Sequence, residues 1–185
     1  MAACEAPSGY TDVAGDCDDA EPTTFPGADE TCDEVDNDCD AEVDEDTRPT
    51  VVGALGGREG AVVSCGTGSF LARQAGGTTR FIGGHGLILG DEASAAWLGR
   101  AALSRTLLAV DGFIEHSELT RATLAHFPHG ASEISGFAAT ASPAAFGAHA
   151  PRVVEAAQHG DAVAHQIVLD GVSYITHGLT LLGWH

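Results

Sequence analysis

The carboxylates of this chain are crowded into its first quarter, and that crowding is the strongest constraint on how the chain can fold. Of its 27 Asp and Glu residues, 17 lie in residues 1–47, which contain no Lys or Arg. Residues 48–185 hold the other 10 together with all eight Arg, a net of −2, and all nine His. We therefore expect an acidic module at 1–47 and a separate domain at 51–185, joined by a linker at 48–50.

Four of the five cysteines lie among these carboxylates: Cys4, Cys17, Cys32 and Cys39. The segment has too few large apolar side chains for a core of its own, so disulfides, a metal ion or both would be needed. Four cysteines allow two disulfides in three pairings. A Zn²⁺ site is a weaker alternative because no pair has the CxxC spacing. An unstructured acidic tail is the other alternative.

The sequence "DNDCDAEVDE" has the spacing of a cation-binding loop. Its carboxylates at positions 1, 3, 5 and 9 could surround one ion, and "GDCDD" supplies more. Ca²⁺ takes about six to eight oxygen ligands, and so many carboxylates would repel one another without a cation. The loop is not an EF-hand, since its twelfth position is Thr47 instead of Glu. The expected ligands are Asp16, Asp18, Asp36, Asp38, Asp40 and Asp44.

The elements DCDD, PGA-x-E-x-CD and DNDCD occur in order between Cys4 and Asp46. In this the segment resembles the MopE-type metal-binding repeat of bacterial surface and secreted proteins. The resemblance implies an extracellular, disulfide-bonded, Ca²⁺-binding module, with copper as another possible metal. Glu34 and Ala41 stand where that family usually has Gly. If those backbones need positive φ, each substitution costs about 1 kcal/mol and weakens the site.

After residue 50 the pattern is that of strands followed by helices. "GAVVSCGTGSFLARQ" predicts a strand, a tight Gly turn and a second strand, and "TTRFIGG" continues the sheet, so residues 51–82 are mostly strand. A Gly-rich loop then leads into a helix from about Ser94, and a second helix is capped by Ser117. Cys65 follows β-branched residues and is expected to be reduced and buried in the core.

The last helix carries an apolar residue at every fourth position, a stripe that predicts burial against a sheet or another helix. The stripe consists of Val163, Ile167, Gly171, Ile175 and Leu179. The histidines show no carboxylate partner at a catalytic spacing. We therefore expect His126, His129, His159 and His165 to be solvated or packed instead of catalytic.

Residues 61–183 resemble the C-terminal half of the BadF/BadG/BcrA/BcrD ATPase family, which includes N-acetylglucosamine and glucosamine kinases. The resemblance lies in "GTGS", in "GGHG-x-x-LGDEAS-x-x-WLGR-x-AL" and in "AP-x-VVEAA-x-x-GD-x-VA". It implies an α/β, actin-like fold of two ribonuclease-H-like halves, with ATP and Mg²⁺ as cofactors and an amino sugar as substrate. The implied phosphate-facing residues are Gly66, Thr67, Gly68 and Ser69, and the implied sugar-binding residues are Gly84, Asp91 and Ala95.

The chain departs from that family in ways that bear on activity. His85 stands where the kinases usually have Trp, and Ala93 where they usually have Gly. No Asp-Gly-Gly-Thr-type phosphate hairpin occurs, the family's general-base Asp is absent, and the adenosine-binding Gly-Gly element would come after residue 185. Phosphoryl transfer depends on positioning and charge neutralisation, so we expect weak or no activity alone. A partner supplying the missing half, or a homodimer, is an open alternative.

Several classes of partner and location are disfavoured. The acidic segment would repel nucleic acid and anionic membrane surfaces. No stretch approaches a transmembrane length, and the N-terminus lacks the pattern of a secretory signal. The two segments point to different locations, cytoplasmic for the kinase-like part and extracellular for the acidic module. The alternative function is therefore an extracellular calcium-binding interaction protein with a non-catalytic scaffold.

Overall fold

The computed structural model describes residues 47–184. Contacts divide the chain into two compact units, Met1–Ala54 and Leu55–His185. Of the first unit, the structure describes helix α1 (Thr47–Leu55). The last residue of this helix, Leu55, belongs to the second unit. Residues 48–50, expected as a linker, thus lie in a helix, as do residues 51–55, expected as strand. The predicted Ca²⁺ ligands and the four acidic-segment cysteines lie outside the described residues.

The second unit begins with a three-stranded antiparallel sheet of order β1-β2-β3, as the sequence predicted. Its strands are β1 (Gly60–Cys65), β2 (Ser69–Ala75) and β3 (Thr78–Gly83). Ala75 pairs with Thr78, so two residues connect β2 to β3. These are Gly76 and Gly77, both with positive φ, which a two-residue type I′ turn requires.

Seven helices follow the sheet within the described chain. They are α2 (Gly86–Leu89), α3 (Ala95–Val110), α4 (Glu118–Ala125), α5 (Ala131–Ala138), α6 (Pro143–Gly147), α7 (Ala150–Gln158) and α8 (Ala162–Leu181). The predicted caps Ser94 and Ser117 accept hydrogen bonds from backbone N–H groups of α3 and α4. Helix α2 is a difference from the sequence prediction, which had a loop there.

Helix α3 lies at the centre of the helical part and contacts α4, α5, α6, α7 and α8. Two apolar clusters form around it. One contains Leu87, Ala96, Leu103, Phe127, Ile134 and Phe146, and the other Ala102, Leu119, Val153, Ala164 and Ile167. Within residues 47–184 no helix is long and apolar enough to cross a bilayer.

Helix α8 packs on β2 and on α7 through a row slightly different from the predicted one. Its fully buried residues are Ala164, Ile167, Gly171 and Gly178. Val163, Ile175 and Leu179 of the predicted stripe are only half-buried. The spacing of the buried row mixes three and four residues because an α-helix has about 3.6 residues per turn. A strict interval of four drifts away from the contact face.

Cys65 is exposed, which corrects the expectation of a buried core cysteine. It is the last residue of β1, and its side chain follows exposed Val63 on the same face of the strand. The β-branched run placed the residue in a strand but not on the buried face. Partial burial still raises the pKa of the Cys65 thiol.

Candidate functional site

The turn that follows β1 rests on the N-terminal end of α3. The Ala95 N–H donates to the carbonyl of Gly66 at 2.9 Å, and the Ala96 N–H donates to that of Thr67 at 3.3 Å. The first N–H groups of a helix have no acceptor within the helix, so these bonds satisfy both partners. The implied phosphate-facing turn and the implied sugar residue Ala95 are therefore held together by backbone hydrogen bonds.

Asp91 lies at the same place and is buried, with 6 % of its surface exposed. Its carboxylate is packed against Gly68, where an added Cβ would lie 3.0 Å from Asp91 Oδ2. Its backbone has φ +60°, uncommon for a residue other than Gly, and its carbonyl accepts from the Ser94 N–H at 3.0 Å. Residues implied for phosphate and for sugar thus touch each other, although 22 positions separate them in the sequence.

Ser69 ties the sheet to both Gly-rich segments. Its hydroxyl donates to the Glu92 carbonyl at 2.7 Å, and its own carbonyl accepts from the Gly84 N–H at 3.0 Å. The residue is buried. Ser69 is therefore a connector that holds the 83–94 segment on the first residue of β2, and its hydroxyl is already engaged.

Ala93 has φ +70°, the left-handed region that favours Gly. The positive φ explains why the family resemblance implies Gly at this position. The Ala that stands here instead is strained. Helix α8 leaves room for the extra methyl: an added Cβ at Gly171 would lie 3.2 Å from the Ala93 Cβ. A strained residue is therefore accommodated by a small residue on the facing helix.

Tyr174 of α8 also lies near this cluster, and the sequence did not single it out. Its hydroxyl lies beside Gly83, 2.9 Å from where a Cβ would stand. Burial raises the pKa of Tyr174, and the nearby charges of Glu92 and Asp91 raise it further. A signal was present in the sequence, because Tyr174 follows Gly171 by three residues on the buried side of the helix. It was passed over because only apolar residues were counted.

The remaining candidates lie at the margins of this cluster or away from it. Gly84 follows β3, and His85 precedes α2 and is exposed. The four histidines expected to be solvated or packed are all exposed. His149, which the sequence analysis did not single out, is buried and stacks on Phe127 with ring centroids 5.7 Å apart.

The described residues do not form a metal site. Between residues 47 and 184, no group of three His, Cys, Asp or Glu side chains is placed to hold a metal ion. Asp91 and Glu92 carry two carboxylates near one another, and the Tyr174 hydroxyl is the third polar group of this cluster. The Mg²⁺ that the family resemblance implies therefore has no preformed protein ligand set in this part of the chain.

Comparisons with known proteins found two kinases to which this chain is similar. The chain is 32% identical to the glucosamine kinase GspK of Vibrio cholerae serotype O1 over 117 residues, which cover 63% of this chain and 40% of that protein. It is also similar to the crystal structure of a candidate N-acetylglucosamine kinase from Chromobacterium violaceum. That similarity has a TM-score of 0.64 and 36% sequence identity, over 71% of this chain and 47% of the other.

The chain thus spans less than half the length of either relative. The α/β architecture and these relatives fit an actin-like fold. The family match begins inside the acidic segment and reaches almost to the end of α8. Residues 18–181 match the model of one family of ATPases, which is most of the chain. The chain therefore belongs to the BadF/BadG/BcrA/BcrD ATPase family.

Proposed function

We propose that this chain is the sugar-binding and phosphate-binding part of an ATP-dependent amino-sugar kinase. The contact between the Asp91 carboxylate and Gly68 is the observation that carries the proposal. It puts a hydrogen-bond acceptor suited to sugar hydroxyls directly against a Gly-rich turn suited to phosphate. The reaction of such a kinase is transfer of the γ-phosphoryl group of ATP to a hydroxyl of glucosamine or N-acetylglucosamine.

The described residues support distinct roles in that site. Asp91 would accept hydrogen bonds from the sugar, and the Tyr174 hydroxyl would donate one from the opposite side. The turn Gly66–Ser69 would approach the phosphates closely because Gly residues have no side chains in the way. Gly84 and Ala95 would contribute backbone contacts only.

The chain alone is proposed to have weak or no kinase activity. ATP and Mg²⁺ would be its cofactors by family membership, but the described residues offer no ligand set for the metal. The sequence also contains no Asp-Gly-Gly-Thr-type hairpin. Positioning and neutralisation of phosphate charge supply nearly all of the catalysis in phosphoryl transfer, so losing them is severe. A missing-half partner or a second copy of the chain would have to supply these groups.

The acidic segment carries a second proposal. Its spaced carboxylates and four cysteines would form a disulfide-linked, Ca²⁺-binding module, as in extracellular proteins, although the kinase-like part would be cytoplasmic. The DNDCD spacing is what favours it. If the module is the functional part, the chain is an extracellular calcium-binding interaction protein. Stabilisation by Ca²⁺ alone, with no response to sugar or nucleotide, would support that function over the kinase one.

Isothermal titration of the 185-residue chain with N-acetylglucosamine and glucosamine, with and without ATP–Mg²⁺, tests the kinase proposal. We expect sugar binding that weakens about tenfold or more in Asp91→Asn, the loss typical of one charged hydrogen bond. Asp170→Asn, an exposed position on α8, is the matched control and should bind like the parent chain. Equal binding by Asp91→Asn and the parent would exclude Asp91 from the sugar site, and absence of any sugar binding would reject the kinase proposal.

A further inference from the structure

A large apolar groove lies between α2, α3, α5 and α6, with a volume of about 950 Å³. Its buried and half-buried lining is formed by Leu87, Leu103, Leu107, Ile134 and Phe146. Small-molecule sites usually enclose about 300–1,000 Å³, are mostly apolar and carry a few polar groups. The groove has that character, since Arg100, Ser104 and Asp111 are the charged or hydroxyl-bearing side chains along it apart from His85 at one end.

The groove is continuous with the candidate sugar loop. His85 and Gly86, which line it, directly follow Gly84. A Cβ placed on Gly90 would lie 3.3 Å from the His85 Cβ and 3.7 Å from Glu92 Oε2. The groove-lining residue His85 and the Glu92 carboxylate therefore flank the same residue, Gly90, and Glu92 directly follows Asp91 in the chain.

Helix α2 forms a wall of this groove and is fixed in place. The Arg100 guanidinium, on α3, donates a hydrogen bond to the carbonyl of Leu87. Leu87 points into the core, whereas Ile88 and Leu89 are 90% and 82% exposed beside the groove. Two aliphatic side chains left in water on a four-residue helix extend the apolar surface available to a ligand.

We propose that this groove binds an acyl chain carried on the nitrogen of the amino sugar, and that the preferred substrate class is N-acyl sugars with chains longer than acetyl. The inference rests on the proposed sugar-binding function. An acetyl group would occupy a small part of the groove, whereas a linear chain entering beside His85 could run along Leu103 and Leu107 of α3. A free fatty acid has the same apolar chain without the sugar, so the experiment must distinguish an N-acyl sugar from a free fatty acid.

Titration of the 185-residue chain with glucosamine and its N-acetyl, N-butanoyl and N-hexanoyl derivatives tests the inference, with sodium hexanoate as the sugar-free probe. Each buried methylene should tighten binding about twofold to fourfold, so N-hexanoylglucosamine, with four more methylenes, should bind about 16-fold to 250-fold more tightly than N-acetylglucosamine. Hexanoate should bind more weakly than N-hexanoylglucosamine. Equal affinities across the sugar series would overturn the inference and leave the proposed function standing.

Blocking the groove locates the effect. Ala138 is exposed and lines the groove, whereas Ala144 is exposed on neighbouring α6 and does not. Ala138→Trp should remove the dependence on chain length and leave N-acetylglucosamine binding unchanged, and Ala144→Trp should change neither. A length dependence that survives in Ala138→Trp would overturn the groove assignment. Binding of hexanoate as tight as that of N-hexanoylglucosamine would assign the groove to free fatty acids, and binding of no sugar at all would reject the proposed function as well.

Discussion

Two aspartates are buried among residues 47–184, and their surroundings differ in an instructive way. Asp161 caps α8 by accepting from the Ala164 N–H at 2.9 Å, and it also accepts from the Leu119 N–H of α4 at 2.8 Å. In residues 47–184, no donor is hydrogen-bonded to the carboxylate of Asp91, whose own backbone has a positive φ. A buried carboxylate that the protein satisfies joins helices together. The proposed sugar-binding role of Asp91 needs a carboxylate without such partners among the described residues.

The pKa of Asp161 reflects the hydrogen bonds that its carboxylate accepts. Burial alone would raise it, but hydrogen bonds from the backbone of Ala164 and Leu119, then from Ser117 and Val163, outweigh that effect and hold the pKa below its usual value. A carboxyl with a lowered folded pKa stabilises the fold above its unfolded pKa of about 4 and stops doing so as the pH falls through the folded value. Asp161 should therefore contribute fully at neutral pH.

The largest expected effect is on Asp161. Asp161→Ala removes the cap of α8 and the tie to α4, and should lower the free energy of unfolding by about 3 kcal/mol. Asp161→Asn should lose about half of that, because its amide oxygen can still cap α8. Urea denaturation at pH 7 measures both. Asp91→Ala should cost far less stability, and an equal loss in the two alanine variants would remove the distinction between a structural and a functional carboxylate.

The next largest effect is a loss of thermal stability as the pH falls. Burial lowers the pKa of His149, as do the charges of Arg152 and His126, which are the titratable or charged groups that act on it. The neutral ring is favoured in the fold, so its contribution is complete above the unfolded pKa of about 6.5 and declines as the pH falls below that. The midpoint of thermal unfolding should drop between pH 7.5 and 5.5 in the parent chain and drop less in His149→Phe.

The exposed His165 provides the matched control for this experiment. His165→Phe should show the same pH dependence as the parent chain. If His149→Phe and the parent lose stability in parallel on acidification, another group is responsible. Loss of stability that appears only below about pH 4 would instead point to carboxylates such as Asp161.

The smallest expected effect concerns the strained backbone at Ala93, two residues after Asp91. Ala93→Gly removes a methyl from a positive-φ position and should raise the free energy of unfolding by about 0.5–1 kcal/mol. Gly171→Ala should be destabilising in the parent chain, because the two Cβ atoms would lie 3.2 Å apart, and less so in the Ala93→Gly background. Equilibrium unfolding of the four proteins in this double-mutant cycle gives the coupling, and strict additivity would show that the two residues do not oppose each other.

Local patterns in the sequence predicted much of the fold after residue 59. The hairpin, the third strand, the caps Ser94 and Ser117 and the long last helix all depend on turn residues, alternation and capping chemistry that neighbouring positions carry. Helix α2 was missed because a four-residue helix that begins with a glycine is too short for a helical period to show. Cys65 was assigned to the wrong environment because a β-branched run identifies a strand but not which of its faces is covered.

Only part of the candidate site could be predicted from local patterns in the sequence. Family resemblance indicated Gly68 and Asp91 separately, while their contact depends on how the turn after β1 meets the start of α3. Tyr174 joins them from a helix about 80 positions further along. The apolar groove between α2, α3, α5 and α6 is a property of four helices together, and no short stretch of sequence contains its shape.

By itself the sequence determined the division of charge at residue 47, the order of strands and helices after residue 59 and the membership of this chain in its family, because each of these is written in local composition or motif. Only the tertiary structure decided that, within residues 47–184, the Asp161 carboxylate accepts backbone hydrogen bonds and the Asp91 carboxylate accepts none. The physical reason is that burial and hydrogen-bond partners are set by residues distant in the chain, such as Leu119 for Asp161 and Gly68 for Asp91. Two aspartates with the same side chain therefore have different surroundings.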